Sequence, residues 1–129
     1  MGEIASQTTQ KLFEADRYDD YLHFYGLGVE GAEALAEYWH KRIRQQIGIA
    51  DQDAHDIDKL FKQNYRGSRF SFGYPACPNL QDQVKLSELL DFAAIDVTLT
   101  EDWQLVPEQS TSALICHHPE ARYFNVSVT

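Results

Sequence analysis

The sequence predicts an α+β fold in which N-terminal helices precede a small antiparallel sheet that ends in a C-terminal hairpin. Between residues 27 and 92 the apolar residues recur at spacings of three and four, which is typical of amphipathic helices. After Asp96 apolar and polar residues alternate, which favours β-strands. The length of 129 residues and the hydrophobic content of 43% suit one core. We therefore expect a single domain over residues 18–129.

The first predicted helix spans Leu27 to Ile47 and ends near Gly48. Its apolar stripe consists of Leu27, Ala32, Leu35, Ala36, Trp39, Ile43 and Ile47, and the polar residues Glu30, Glu33, Glu37, Lys41 and Arg44 occupy its other faces. Glu33 and Glu37 lie one turn apart and suit an ammonium group or ribose hydroxyls, but such a pair is more often a solvated face. Residues 1–17 are polar with few apolar anchors, so we expect a loose arm or a truncated end.

Two further helices follow in the pattern. Residues 55–65 place Ile57, Leu60, Phe61 and Tyr65 on one stripe, with acidic residues at the start where the helix dipole favours them. A third helix begins at Asn79, and its buried side is predicted to consist of Val84, Leu86, Leu89, Leu90 and Phe92.

Four β segments are predicted in the C-terminal third: 97–99, 103–106, 111–117 and 122–128. The last two flank a turn-forming segment, 118–121, and should pair as an antiparallel hairpin. Because strand residues alternate between faces, Phe124, Val126 and Val128 should point into the core. Tyr123 should then point to the opposite face, where a ligand can reach it.

Composition excludes several partners. There are 20 acidic and 11 basic residues, and the net charge of -9 repels nucleic acid and anionic membrane surfaces. No signal peptide and no apolar run of membrane-spanning length is recognisable. Cys77 and Cys116 form neither a disulfide framework nor a zinc motif, so the cytosol is the expected compartment.

No metal site or catalytic residue is predicted. The acidic segment from Asp51 begins like a calcium loop, but Asp56 replaces the glycine at position six and Lys62 replaces the glutamate at position twelve. Three residues of metal-ligand type, Cys116, His117 and His118, would alternate between strand faces and would not converge on one ion. The usual hydrolase, nucleotide-hydrolysing and dinucleotide-binding signatures are missing as well.

The segment 66–78 predicts a small-molecule site. It combines arginine with two glycines, two prolines and three aromatic residues in an irregular stretch. Arginine can grip a carboxylate through two hydrogen bonds, and glycine lets the backbone approach a ligand closely. Aromatic faces can hold a flat ring or a sulfonium group. We expect Arg69 to be the main contact, while Cys77 is predicted to be a packed thiol.

This segment resembles the signature of the activation domain of cobalamin-dependent methionine synthase. The matching residues are Arg69-x-x-x-Gly73-Tyr74-Pro75-Ala76-Cys77-Pro78. Further matches fall in the family's order at 32–44, 64–67, 87–90 and 118–124. The resemblance runs from about Tyr18 to the end of the chain, and it implies a methionine synthase activation domain-like fold of which this chain is the C-terminal part.

The resemblance implies a module that binds S-adenosylmethionine and presents its methyl group to cob(II)alamin on a neighbouring cobalamin-binding domain of the same enzyme. A flavodoxin-like donor would supply the electron that accompanies the transfer. The implied cofactor-binding residues are Arg69, Ser71, Gly73, Tyr74, Tyr123 and Phe124, the last replacing a tyrosine of the family. Arg69 would bind the methionine carboxylate, loop backbone would hydrogen-bond the ligand, Tyr123 would cover it, and Tyr74 would lie toward the corrin.

The implied enzyme is the cytoplasmic 5-methyltetrahydrofolate-homocysteine methyltransferase of methionine biosynthesis. The module would act by positioning, without an acid or base of its own, and we expect this fragment to be inactive alone. The alternative is a non-catalytic interaction module that docks on a corrinoid domain or self-associates as a homodimer.

Overall fold

A computed structural model describes residues 2–124 and confirms the α+β class with small antiparallel sheets. The helices are α1 (Glu3–Glu14), α2 (Tyr18–Gln46), α3 (Ile57–Phe61) and α4 (Gln83–Leu89). The strands are β1 (Ser68–Ser71), β2 (Thr98–Leu99), β3 (Leu105–Val106) and β4 (Ala113–Cys116). Short 3-10 turns lie at Ala50–Gln52, Leu80–Asp82 and Phe92–Ile95. None of the helices described is long and apolar enough to cross a membrane.

The described chain forms two compact units. The first unit consists of residues 2–36 and 80–111, and the second unit consists of residues 37–79 and 112–124. Helix α2 contributes its N-terminal part to the first unit and its C-terminal part to the second. The expectation of one domain over 18–129 stays a prediction.

Helix α1 lies where the sequence predicted a loose arm. Its side chains support it locally: Gln7 donates a hydrogen bond to Glu3 at 2.9 Å, and Gln10 donates one to Glu14 at 2.8 Å. The Thr9 hydroxyl donates to the carbonyl of Ala5 at 2.8 Å. The prediction missed this helix because it searched for an apolar stripe, whereas these contacts join polar side chains to partners four residues away.

Helix α2 confirms the predicted helix and begins nine residues earlier, at Tyr18 instead of Leu27. Gly26 and Gly28 are poor helix formers, which is why the pattern gave a later start. Tyrosine rings stack along this part of the helix: Tyr18 on Tyr21 with centroids 5.7 Å apart, and Tyr21 beside Tyr25 at 5.9 Å. These contacts give the N-terminal half of α2 a packed face.

The buried face of α2 in the second unit is polar, which corrects the prediction. The predicted core residues Trp39 and Ile47 are about half exposed. His40 and Arg44 are fully buried instead, although Arg44 was predicted to lie off the buried apolar stripe. The apolar stripe read from the sequence is therefore not the packed side of this part of the helix.

Helix α3 is shorter than predicted. It begins after Asp56, whose carboxylate accepts a hydrogen bond from the Asp58 amide at 2.9 Å, and it ends before Gln63, which has a φ of +58°. Two residues of the predicted buried stripe, Ile57 and Phe61, are largely exposed. The fourth, Tyr65, is only 6% exposed but lies beyond the helix in the following loop.

The third predicted helix is confirmed as α4, which follows a 3-10 turn at Leu80–Asp82. Leu89 and Leu90 are exposed, contrary to the prediction, while Gln83 is buried and donates to the carbonyl of Trp103 at 2.8 Å. Strands β2 and β3 lie within the predicted segments 97–99 and 103–106, and they pair antiparallel with each other.

Strand β4 pairs antiparallel with β1. The sequence had predicted pairing of 111–117 with 122–128 instead, and had treated 66–78 as wholly irregular. Residues 122–124 form no strand, and residues 125–128 of the predicted hairpin lie outside the described residues. Phe124 is 50% exposed, so its predicted place in the core is wrong.

Candidate functional site

Gly67 opens the segment that carries the predicted site. Its φ is +89°, and a Cβ there would lie 2.5 Å from the carbonyl oxygen of Cys116 on β4. Only glycine fits this conformation and this close approach. The glycine therefore lets the chain enter β1 against β4, a structural role where the sequence suggested contact with a ligand.

Strand β1 places Arg69 and Ser71 on one face. They are two residues apart and lie opposite Ile115 and Ala113 of β4. Ser68, which belongs to the other face, is fully buried. The strand thus holds two of the predicted contact residues side by side on a backbone fixed by its pairing with β4.

The Arg69 guanidinium is oriented by a carboxylate of α2. Its Nη1 lies 2.9 Å from Oε1 of Glu37 and donates a hydrogen bond to it. The Arg69 side chain is 15% exposed and that of Glu37 is 36% exposed. An ion pair at this depth contributes modestly to stability, but it restricts the rotamers of a long side chain before any ligand arrives.

Helix α2 contributes to a second ion pair, which is more deeply buried than that of Glu37 with Arg69. Arg44 lies seven residues after Glu37 on α2 and forms a fork with Asp53, with both N···O distances at 2.8 Å. The guanidinium carbon of Arg44 also lies 3.9 Å from the centroid of the Tyr65 ring. Because Asp53 and Tyr65 flank α3, this pair ties the segment leading to β1 onto α2.

His40 completes the buried cluster. Its ring meets the Tyr65 ring edge to face, with centroids 5.1 Å apart. Burial, with smaller contributions from the nearby cations Arg44 and Arg69, lowers the pKa of His40 to about 4. Burial also raises the pKa of Tyr65. Both groups are therefore neutral near pH 7.

The turn after β1 is closed by its own backbone. Gly73 has a φ of +84°; its amide donates to the carbonyl of Cys77 at 2.8 Å, and the Cys77 amide donates to the carbonyl of Tyr74 at 2.9 Å. The Gly73 amide therefore already has a partner within the turn. The Tyr74 side chain is more than half exposed at the tip.

Tyr123 and Phe124 have different surroundings. Tyr123 is half-buried and lines a cleft of about 710 Å³ with Tyr65 and Arg66, while Phe124 is half exposed. The structure therefore brings Arg69, Ser71, Gly73 and Tyr74 together on one strand and turn. It assigns Tyr123 to the wall of the cleft.

Sequence reasoning missed the support behind the site. Glu37 was interpreted as part of a solvated face, and His40, Arg44 and Asp53 were given no role. The spacing of Glu37, His40 and Arg44, at three and four residues, was the available signal, because it places two charges and an imidazole on one helical face. Polar residues at such a spacing are usually solvated, so the signal was weak.

Within residues 2–124 no group of three or more potential metal ligands comes together, and both cysteines are free thiols. The site's chemistry is that of an oriented guanidinium, a strand face and a tight turn with an exposed aromatic residue. Such a constellation can bind and orient a carboxylate-bearing ligand.

Comparison with known proteins defines the class. Residues 2–129 match the family described as "Vitamin B12 dependent methionine synthase, activation domain", and the chain belongs to this family. It is 48% identical over 132 residues to methionine synthase of Mycobacterium tuberculosis (strain ATCC 25618 / H37Rv), and 47% identical to that of Mycobacterium leprae (strain TN). These alignments cover 98% of this chain and 11% of either relative, so the chain spans about a tenth of their length.

A solved structure shares the fold. It is described as "Crystal Structure of the MetH Reactivation Domain bound to AdoHcy", and it superposes with a TM-score of 0.86 at 29% identity. The match covers 95% of this chain and 38% of that one.

Proposed function

We propose that this chain binds S-adenosylmethionine as part of a methionine synthase reactivation domain. The observation that carries the proposal is Arg69, a largely buried guanidinium on β1 that Glu37 orients at 2.9 Å. The relative of similar fold is bound to AdoHcy, which lacks only the transferred methyl group of S-adenosylmethionine. A ligand with a carboxylate and an adenosyl group suits this donor set.

Each predicted residue has a proposed role. Arg69 binds the methionine carboxylate through charge-assisted hydrogen bonds. Ser71 contacts the ligand from the same strand face, and Gly73 admits it close to the turn. Tyr74 extends from the turn toward the partner domain, and Tyr123 and Phe124 complete the binding surface, as the sequence resemblance implies.

The chemistry belongs to the bound groups: S-adenosylmethionine supplies the methyl group, and cobalamin on a neighbouring domain receives it with an electron from a flavodoxin-like donor. The residues of this chain bind and orient, and none needs to act as an acid or base. The two free thiols suit the proposed cytoplasmic location.

Calorimetric titration with S-adenosylmethionine tests the proposal. Arg69→Gln should weaken binding by about ten- to a hundredfold, because it removes charge-assisted hydrogen bonds. Glu37→Gln should weaken binding less, because it loosens the guanidinium without removing it.

The control is Arg42→Gln, which removes an exposed arginine from α2 of the same unit and should leave affinity within about twofold. Unchanged binding by Arg69→Gln would contradict the proposed site. Absence of binding by the wild-type chain at about 10 mM ligand would instead favour the non-catalytic interaction module.

A further inference from the structure

A cavity of the first unit has an acidic lining. It has a volume of about 460 Å³ and lies between the start of α1 and the paired strands β2 and β3. Three carboxylates line it, those of Glu3 on α1, Asp96 before β2 and Glu108 after β3, and none of its described lining residues is cationic. We propose that this cavity binds an organic cation of the polyamine class, in which methylene chains separate two or more ammonium groups.

The basic side chains of the first unit do not neutralise this cavity. The sequence of the unit contains three of them, Lys11, Arg17 and Lys85, against 14 acidic residues. Arg17 pairs with Asp20 and Lys85 pairs with Asp82, both at 2.7 Å. Within residues 2–124 no cationic side chain forms an ion pair with a carboxylate of the cavity. A cationic ligand therefore meets carboxylates that the described chain leaves without a counter-ion.

Neutral donors orient two of the three carboxylates. The Gln7 side chain donates a hydrogen bond to Oε1 of Glu3 at 2.9 Å, and the Tyr25 hydroxyl donates one to Oε1 of Glu108 at 2.8 Å. A neutral donor restricts a carboxylate without cancelling its charge. Since an ionised carboxylate can accept about four hydrogen bonds, Glu3 and Glu108 can each accept more from an ammonium group.

The hydroxyl of Ser6 is an independent indication of a ligand. Ser6 lines the cavity, and its Oγ is buried without a hydrogen-bond partner within residues 2–124. The next hydroxyls of α1 differ, because Thr8 donates to the carbonyl of Ile4 at 2.7 Å and Thr9 donates to that of Ala5 at 2.8 Å. Native proteins contain few buried hydroxyls without a partner, because such groups are costly. An ammonium group in the cavity would donate to this oxygen.

The arrangement of the lining indicates an elongated ligand. Within the described chain no three potential metal ligands come together, so the carboxylates of the cavity do not converge on a single ion. The lining also includes the aliphatic side chains of Leu105, Val106 and Pro107 and the hydroxyls of Thr98 and Thr100. Methylene chains suit the aliphatic part, and ammonium groups suit the oxygens. The volume lies within the usual range of small-molecule sites.

Calorimetric titration of the 129-residue chain with spermidine at low ionic strength tests the site. Asp96→Asn/Glu108→Gln should weaken binding by at least about tenfold, because it removes two charges and keeps the shapes of both side chains. Asparagine tolerates the φ of +54° at Asp96. The matched control is Asp19→Asn/Glu30→Gln, which removes two exposed carboxylates of the same unit outside the cavity and should stay within about twofold. An equal loss in both pairs would overturn the proposal.

The role of Ser6 has its own test. Ser6→Ala should weaken spermidine binding by about threefold or more, because it removes the buried acceptor. Thr8→Ala is the control, since its hydroxyl already has a partner in α1. Equal affinities of the two variants would contradict the role of Ser6.

On the wild-type chain, n-butylamine has one ammonium group and should bind at least about tenfold more weakly than spermidine. Equal affinity for n-butylamine or for Mg²⁺ would overturn the proposal, because charge alone would then explain binding.

Arg69→Gln separates this site from the proposed function. The variant should lose S-adenosylmethionine binding and keep its affinity for spermidine within about twofold, because Arg69 belongs to the second unit. Loss of spermidine binding in this variant would overturn the proposal, as would absence of spermidine binding by the wild-type chain at about 10 mM. Failure of the proposed function would instead abolish S-adenosylmethionine binding and leave spermidine binding unchanged.

Discussion

The interior of each of the two units is stabilised by a different kind of contact. The second unit has a largely buried ion pair, Arg44 with Asp53, and a fully buried imidazole, His40. The first unit has partly exposed stacked tyrosines and single hydrogen bonds, such as that between Tyr25 and Glu108, and no comparably buried charge is among its described contacts. Charges held without water keep a fixed geometry but are costly when a partner is lost. The unit with the proposed binding residues is thus the one whose interior tolerates least change.

Removing one partner of the buried pair should have the largest effect. Asp53→Asn leaves the Arg44 guanidinium buried without its counter-ion, which should lower the free energy of unfolding by about 3–5 kcal/mol. Urea unfolding measures the change.

The matched control is Asp51→Asn, which removes an exposed carboxylate two residues away. It should change stability by less than about 0.5 kcal/mol. Equal effects from the two substitutions would mean that the buried pair does not stabilise the second unit.

His40 should make stability depend on pH. Its pKa is about 4 in the folded chain and 6.5 in the unfolded chain, so between these values the unfolded state binds the extra proton. Stability should therefore fall as the pH drops from 6.5 to 4, by roughly 3 kcal/mol from this residue alone.

Unfolding of wild type and His40→Leu at pH 7 and pH 4.5 isolates this contribution, because the carboxylates titrate in both proteins. The wild type should lose more stability than the variant. The same pH dependence in both would show that His40 is solvated.

The smallest effect is expected in the first unit. The Tyr25 hydroxyl donates to Glu108 at 2.8 Å, and this hydrogen bond, with smaller contributions from burial and the Glu108 charge, raises the pKa of Tyr25. Tyr25→Phe should cost less than about 1 kcal/mol, because the contact is exposed. The control is Tyr18→Phe, at an exposed ring of the same stack. If Tyr25→Phe lowered the free energy of unfolding as much as Asp53→Asn, the contrast between the units would be wrong.

The sequence predicted where helices and strands occur better than which residues they bury. The predicted helix from Leu27 was confirmed within α2 because its periodicity is strong. The predicted burial was wrong at Trp39 and Arg44. Burial of Arg44 depends on Asp53 and Tyr65, which lie in another segment of the chain. Such a tertiary pair is invisible to a rule that considers one helix at a time.

The local structure that carries the candidate site was predicted only in part, for a similar reason. The arginine, glycines and aromatic residues of 66–78 indicated a binding segment. Because Gly67 and Gly73 lie on either side of β1, the sequence did not predict a strand there. The pairing of β1 with β4 joins residues more than 40 positions apart, so local alternation favoured a hairpin with the next segment instead.

The central claim is that S-adenosylmethionine binds on the β1 strand and the turn that follows it. The most direct measurement is an NMR titration of the isotope-labelled chain, with amide shifts followed residue by residue. The account predicts the largest shifts at Arg69, Ser71 and Gly73, with little change at Lys59 and Lys62. Largest shifts at Lys59 and Lys62, or shifts that persist in Arg69→Gln at the same ligand concentration, would contradict it.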